Sequence, residues 1–66
     1  MDVTCEVVGG NRHDLELDPG ATYADVIRAV GLSPQEATAI VGDAPVPDDR
    51  PVDATEVRIL RLIQGG

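Results

Sequence analysis

The residues of this sequence that are best suited to chemistry lie at its end, where residues 60–66 read LRLIQGG. An alternating apolar pattern typical of a strand runs directly into Gly65 and Gly66. The α-carboxylate of Gly66, with a usual pKa of about 3.5, is ionised at neutral pH. Because glycine has no Cβ, the two residues fit a slot only as wide as a backbone. This pattern predicts that Gly66 presents its carboxylate to the active site of another protein.

The other residue types that often carry chemistry are isolated. Cys5 is the only cysteine, so the chain can form neither an intramolecular disulfide nor a cysteine-based metal site, and we expect a small buried hydrophobe there. His13 is the only histidine, and we expect it to be solvated at the mouth of a hairpin, with no metal site. A domain of 66 residues has little room for a cleft around a large cofactor. The sequence therefore predicts a protein that is not an enzyme and holds no cofactor of its own.

The charge of the chain limits its partners. Its formal net charge is -7, and all five basic residues are Arg. An acidic surface repels phosphate backbones, so we expect no direct nucleic-acid binding. An acidic composition without Lys is typical of proteins that work in concentrated salt, and we expect stability to rise with salt. Because no signal-like segment and no apolar run of membrane-spanning length occurs, we expect a cytoplasmic monomer.

The first part of the chain predicts a hairpin. Residues 1–8 alternate, with Val3, Cys5 and Val7 on the inward face. A turn follows at residues 9–11, and residues 13–17 alternate again.

A helix is predicted next, over about residues 23–30. Thr22 and Asp25 resemble a capping box at its start, and Gly31 suits the left-handed position after its end. The apolar residues at helical spacing form one stripe: Val26, Ile27 and Val30.

The second half predicts shorter elements. Residues 33–36, SPQE, carry a second helix-start signal and predict a single helical turn. Residues 38–41 and 44–46 predict a short hairpin, whose second strand must lie at a sheet edge because of Pro45. A polar, solvated loop is expected at 47–51, and residues 57–63 predict the last strand.

A last strand that joins the first in parallel would close one mixed sheet over the helix. We therefore predict an α+β fold of the β-grasp type, with residues 1–66 as a single domain and a flexible tail at about 64–66. The expected core comprises Val3, Val7, Leu15, Leu17, Val26, Ile27, Val30, Val57 and Ile59.

This order of elements, ending in a diglycine, resembles the ubiquitin family, and within it the small archaeal modifier proteins and the sulfur carriers of thiamine, molybdopterin and tRNA thiolation. The resemblance lies in residues 23–26 (YADV) with 28–30 (RAV), in 32–34 (LSP), in 45–47 (PVP) and in 57–66, where Arg61-Leu62 precedes the diglycine. It covers nearly the whole chain.

The resemblance implies a definite chemistry for Gly66. An E1-like enzyme that uses ATP and Mg²⁺ adenylates the carboxylate. Sulfide then gives a thiocarboxylate for sulfur transfer, or the lysine amine of a target protein gives an isopeptide bond. The short chain and the LSP match favour tRNA thiolation over molybdopterin synthesis. The activating enzyme is expected to capture the extended tail at Leu62, Gln64 and Gly65 by its backbone.

A docking surface for a partner is predicted beside the tail. The outward side chains of Leu60 and Ile40, with Arg58, form an exposed patch. Arg58 lies where a relative could carry an acceptor lysine, and Arg does not lose its proton to become a nucleophile. Because the chain has no Lys, modifier chains could grow on it only through the α-amine of Met1.

Other classes of protein fit less well. A noncatalytic β-grasp interaction module, whose diglycine is incidental, is the main alternative, and deleting Gly66 would not affect it. An iron–sulfur carrier needs four thiolates, and this chain has one. An independent enzyme would need an acid, base or nucleophile with a partner, and no such pair is visible.

Overall fold

A computed structural model of the chain describes residues 1–62, which contain five strands and one helix. The elements are β1 (Asp2–Val7), β2 (Arg12–Glu16), α1 (Tyr23–Ala29), β3 (Ala37–Val41), β4 (Ala44–Val46) and β5 (Glu56–Arg61). The strand order is β2-β1-β5-β3-β4, and β1 and β5 are parallel, whereas the other neighbours are antiparallel. The predicted α+β, β-grasp sheet with a parallel central pair is therefore confirmed.

The predicted flexible tail at about 64–66 lies outside the described residues. No helix in residues 1–62 is long and apolar enough to cross a membrane.

Helix α1 begins and ends where local hydrogen bonds require. The Thr22 N–H donates to the Asp25 carboxylate at 2.9 Å, as the predicted cap implied. At the other end the Leu32 N–H donates to the Ile27 carbonyl at 3.1 Å, and Gly31 is left-handed, with a φ of +85°. The helix ends at Ala29, one residue earlier than predicted, because these bonds turn the chain away from the helix axis.

One face of the sheet packs on α1, and the core lies between them. The buried apolar residues are Val3, Cys5, Leu17, Tyr23, Val26, Ile27, Ala37, Ala39, Val57 and Ile59. Six of the nine predicted core residues are among them. The prediction of full burial was wrong for Val7, Leu15 and Val30, which are half-buried at the margin of the core. Leu15 lies on an edge strand, Val7 ends β1, and Val30 is the C-cap of the helix, so each has an open side.

The predicted helical turn at residues 33–36 is a tight turn without helix. The Glu36 N–H donates to the Ser33 carbonyl at 2.9 Å, and β3 begins at the next residue, Ala37. The Glu36 carbonyl accepts the Leu62 N–H at 2.7 Å, so it forms a hydrogen bond to the segment after β5 and is not used by a helix. A helix had no room to continue.

The loop at residues 47–51 is polar and exposed, as expected, but its backbone has a structural role. The Tyr23 N–H donates to the Arg50 carbonyl at 3.1 Å, and the Ala24 N–H donates to the Asp48 carbonyl at 2.8 Å. These carbonyls satisfy donors that a helix start leaves free. The loop thereby fixes the start of α1.

Candidate functional site

The outer face of the sheet, opposite α1, carries a row of residues that crosses every strand. The strand registers pair Glu6 with both Arg12 and Arg58, and pair Ile40 with both Arg58 and Pro45. The row therefore places Arg58 and Ile40, two residues of the predicted docking patch, directly side by side.

Charge alternates along this row. The Arg58 Nε lies 3.6 Å from the Glu6 Oε1, and both side chains are more than half exposed, so the ion pair adds little to stability. Arg12 joins these two residues in lining a shallow groove of about 320 Å³, with Ile40 on its other side. Glu56 also lines the groove, which thus sets two guanidinium groups and two carboxylates beside the apolar side chain of Ile40. Such a lining suits a partner surface that carries both charges next to an apolar area.

Apolar side chains flank the row on the side from which the chain leaves the sheet. Leu60 is 38% exposed and Leu62 is 58% exposed. Leu60 faces Thr38 in the register between β3 and β5. Val8, which is 46% exposed, donates its N–H to the Ile59 carbonyl at 2.9 Å and so lies against the same end of β5. Three of the exposed large hydrophobic side chains in residues 1–62 thus lie close to the end of β5, where the tail begins.

The sequence predicts that Leu60, Ile40 and Arg58 form one exposed patch. The structure places the three residues on one face, where Leu60 and Arg58 are exposed but Ile40 is half-buried between its neighbours. The sequence analysis did not assign Glu6 and Arg12 to this site. Alternation shows that Glu6 faces outward, but only the register shows that it lies between two arginines.

The tail residues with predicted roles lie mostly beyond the structure. Leu62 is described, and its N–H is held by the Glu36 carbonyl at 2.7 Å. Gln64, Gly65 and the reacting group, Gly66, lie outside the described residues.

Cys5 and His13, the single cysteine and the single histidine of the chain, are parts of the fold. Cys5 is fully buried, and burial raises the pKa of its thiol to about 11, so the thiol is protonated and unreactive at neutral pH. The expectation of a solvated loop histidine was wrong, because His13 lies within β2, opposite Cys5, and is half-buried. Within residues 1–62, no three His, Cys, Asp or Glu side chains are grouped so that they could hold a metal ion.

Tyr23 and Asp53 form a polar contact at the edge of the core. The Tyr23 hydroxyl donates to the Asp53 Oδ1 at 2.8 Å, and the Arg50 Nη2 lies 3.2 Å from Asp53 Oδ2. The hydrogen bond from Tyr23 lowers the pKa of Asp53, and the Arg50 charge acts in the same direction. Burial raises the pKa of Tyr23, and the bond to Asp53 adds to this effect. The contact ties the start of α1 to the segment before β5.

Comparison with known proteins gives consistent matches over nearly the whole chain. Residues 1–63 match the model of a family described as small archaeal modifier protein 2. The chain is 50% identical over 66 residues to small archaeal modifier protein 2 of Haloferax volcanii, covering 100% of both sequences. It is 27% identical over 67 residues to an uncharacterised protein of Archaeoglobus fulgidus, again covering 100% of both. The fold is similar to the crystal structure of H. volcanii small archaeal modifier protein 2, with a TM-score of 0.77 and 48% identity over 97% of each chain.

Proposed function

Because this chain belongs to the family of small archaeal modifier proteins, which are ubiquitin-like modifiers and not catalysts, we propose that its working group is the carboxylate of Gly66. An E1-like partner enzyme, using ATP and Mg²⁺, adenylates this carboxylate. The observation that carries the proposal is the sequence of the tail, where strand β5 leads through Leu62 to a diglycine.

The chemistry requires activation, because a carboxylate is a poor electrophile. The Gly66 carboxylate attacks the α-phosphorus of ATP, and pyrophosphate leaves. The resulting acyl-adenylate has AMP as a good leaving group. Sulfide then displaces AMP to give a thiocarboxylate that donates sulfur, or a lysine amine of a target protein displaces AMP to give an isopeptide bond.

Among the sulfur-transfer roles, tRNA thiolation is favoured over molybdopterin synthesis. The short chain and the Leu32-Ser33-Pro34 segment support this choice.

The outer sheet face docks the activating enzyme. Leu60 and Ile40 supply apolar contact, and Arg58 supplies a charge that an acidic residue of the enzyme can pair with. The same face continues into Leu62, so an enzyme that binds it is already beside the tail. The tail itself is recognised along its backbone at Leu62, Gln64 and Gly65, with the Leu62 N–H kept on the Glu36 carbonyl and with Gln64 and Gly65 in a narrow slot.

Chains of this modifier do not grow on its own lysines, because it has none. At the row position beside Ile40 it carries Arg58, which does not act as a nucleophile. The remaining amine, at Met1, donates a hydrogen bond to the Leu17 carbonyl at 3.1 Å. Attachment to lysines of other proteins is unaffected.

The experiment that tests this function is ATP–pyrophosphate exchange with the E1-like enzyme. Deletion of Gly66 and the Gly65→Val change should both abolish exchange, the first by displacing the carboxylate and the second by placing a branched side chain in the slot. Leu60→Ala should instead raise the apparent KM and leave kcat nearly unchanged, because it weakens docking alone. If the Gly66 deletion exchanges as fast as the full chain, the carboxylate is not the working group, and the protein is a docking module.

A further inference from the structure

We propose that Ser33, Glu36 and Leu62 form a clamp that fixes the point at which the C-terminal segment leaves the sheet. The clamp acts as a positioning device for the adenylation of Gly66, and in that respect it rests on the function proposed above. Its existence as a structural contact does not depend on that function.

Glu36 joins three separate contacts in this clamp. Its carbonyl accepts the Leu62 N–H at 2.7 Å, and its N–H donates to the Ser33 carbonyl at 2.9 Å. Its side-chain Oε1 accepts the Ser33 N–H at 3.3 Å. The Ser33 Oγ in turn accepts the Gln35 N–H at 3.2 Å, which closes the turn. The residue whose carbonyl holds Leu62 is therefore itself fixed to Ser33 by two hydrogen bonds, one through its backbone N–H and one through its side chain.

The same contacts explain why regular pairing stops here. The register between β3 and β5 pairs Ala37 with Arg61. Glu36 and Leu62 come next in this register. In a full antiparallel pair of this kind, each residue donates its N–H to the other. Here the Glu36 N–H is used by Ser33, so the pair has one hydrogen bond, from Leu62. The turn therefore ends the pairing of β3 with β5 but keeps one last hydrogen bond, from the Leu62 N–H to the Glu36 carbonyl.

Fixing Leu62 defines how far the reactive end can reach. Four residues, 63–66, follow it in the sequence. Four extended residues span at most about 14 Å, so Gly66 can reach only a site within that distance of the clamp. If Leu62 is released, the enzyme must order one more residue when it captures the tail, and this ordering reduces affinity.

The cleanest test compares two substitutions at the same position. Leu62→Pro and Leu62→Ala both remove the leucine side chain, but only Pro also removes the N–H that binds Glu36. Pro is compatible with the end of a strand, so the fold should survive. In ATP–pyrophosphate exchange, Leu62→Pro should have an apparent KM about three- to ten-fold above that of Leu62→Ala, which corresponds to loss of one hydrogen bond. The kcat values of the two variants should agree, since the clamp affects capture and not the chemical step.

A second pair of variants tests the clamp from outside the tail. Glu36→Ala removes the acceptor for the Ser33 N–H, whereas Glu36→Gln keeps an acceptor oxygen at the same distance along the side chain. Glu36→Ala should make the Leu62 amide exchange its hydrogen faster in the free protein and raise the KM about two- to three-fold. Glu36→Gln should stay close to the unmodified protein in both measurements.

The outcomes separate the clamp from the function. Equal KM values for Leu62→Pro and Leu62→Ala, while the Gly66 deletion is inactive, would overturn the positioning role and leave the proposed function standing. A Leu62 amide that exchanges like an unprotected one in the unmodified protein would overturn the clamp itself. If instead the Gly66 deletion is fully active, the proposed function fails and the positioning role fails with it, whereas Leu62 protection still shows the structural clamp.

Discussion

Among single residues, Tyr23 shows how one side chain can connect distant parts of a small fold. It is the only aromatic residue of the chain, it is fully buried, and its hydroxyl reaches Asp53, 30 positions later. A buried hydroxyl requires a partner, and this one has it at 2.8 Å. The contact therefore couples the packing of α1 to the ionisation of a surface carboxylate.

This coupling predicts a pH dependence for Tyr23→Phe. Asp53 has a lower pKa in the folded protein than its unfolded value of about 3.9, so its contact stabilises the fold above that pH. The contribution is lost as the pH falls through the folded-state pKa. Tyr23→Phe should therefore unfold at lower urea than the unmodified protein at neutral pH, and the difference should narrow below about pH 4. Asp53→Asn, which removes the charge but keeps an acceptor, serves as the control. A difference that stays constant into strong acid would show that the charged form of Asp53 is not what the hydroxyl stabilises.

Two neighbours on β5 allow a matched test of the core. Ile59 is fully buried, whereas Leu60, the next residue, faces outward and is 38% exposed. Ile59→Ala should cost about 2–5 kcal/mol in the free energy of unfolding, since it leaves a cavity between sheet and helix. Leu60→Ala should cost less than about 1 kcal/mol. Urea unfolding followed by circular dichroism measures both, and similar losses would mean that the assignment of the two faces is wrong.

Alternation and helical spacing predicted which side each residue faces, and this gave the correct burial wherever neighbouring elements cover that side. Val3, Ile27 and Ile59 lie within such patterns and are buried as expected. Tyr23 was not in the predicted core, because the partner that makes its burial possible is distant in sequence. No local pattern contains that information.

At the scale of the elements, the end of α1 depends on one backbone conformation. Gly31 has a φ of +85°, a region that costs a residue with a side chain roughly 1–2 kcal/mol. Gly31→Ala should therefore lower the free energy of unfolding by about that amount. Gly10→Ala is a suitable control, because Gly10 lacks a positive φ and an added Cβ would lie 3.4 Å from Val7, which is ordinary contact. Thermal unfolding of both variants measures the effect, and equal losses would show that the Gly31 conformation is not the cause.

The elements themselves could be predicted well, and the errors arose where two of them compete for the same atoms. The hairpin signals, the helix cap at Thr22 and the edge position of β4 all follow from local chemistry. The turn at 33–36 carries a helix-start signal, yet the Glu36 carbonyl is bound by Leu62 from the other end of the chain. The groove between Arg12 and Ile40 likewise depends on strand registers that no local pattern specifies.

For the whole molecule, charge is the dominant property. Three ion pairs occur in residues 1–62, and they occupy three of the five arginines: Arg28 with Asp25, Arg50 with Asp53, and Arg58 with Glu6. All six side chains are at least half exposed, so these pairs contribute little. Ion pairing does not change the net charge, which is -7 on a molecule whose Cα radius of gyration is 10.7 Å. Self-repulsion therefore opposes the compact state at low ionic strength.

Salt should relieve this repulsion, because the screening length falls from about 10 Å at 0.1 M to about 3 Å at 1 M. We expect the Tm to rise from low to molar KCl, and a gain of about 1 kcal/mol would appear as a rise of about 4–8 °C. Salt also strengthens apolar burial in general, so a control is required. Asp48→Asn combined with Asp49→Asn removes two exposed charges and keeps the Asp48 carbonyl that caps α1. This double variant should be more stable than the unmodified protein at low salt and gain less from added KCl. A Tm that is flat or falls with salt would contradict adaptation to concentrated salt, and an equal rise in both proteins would assign the effect to apolar burial.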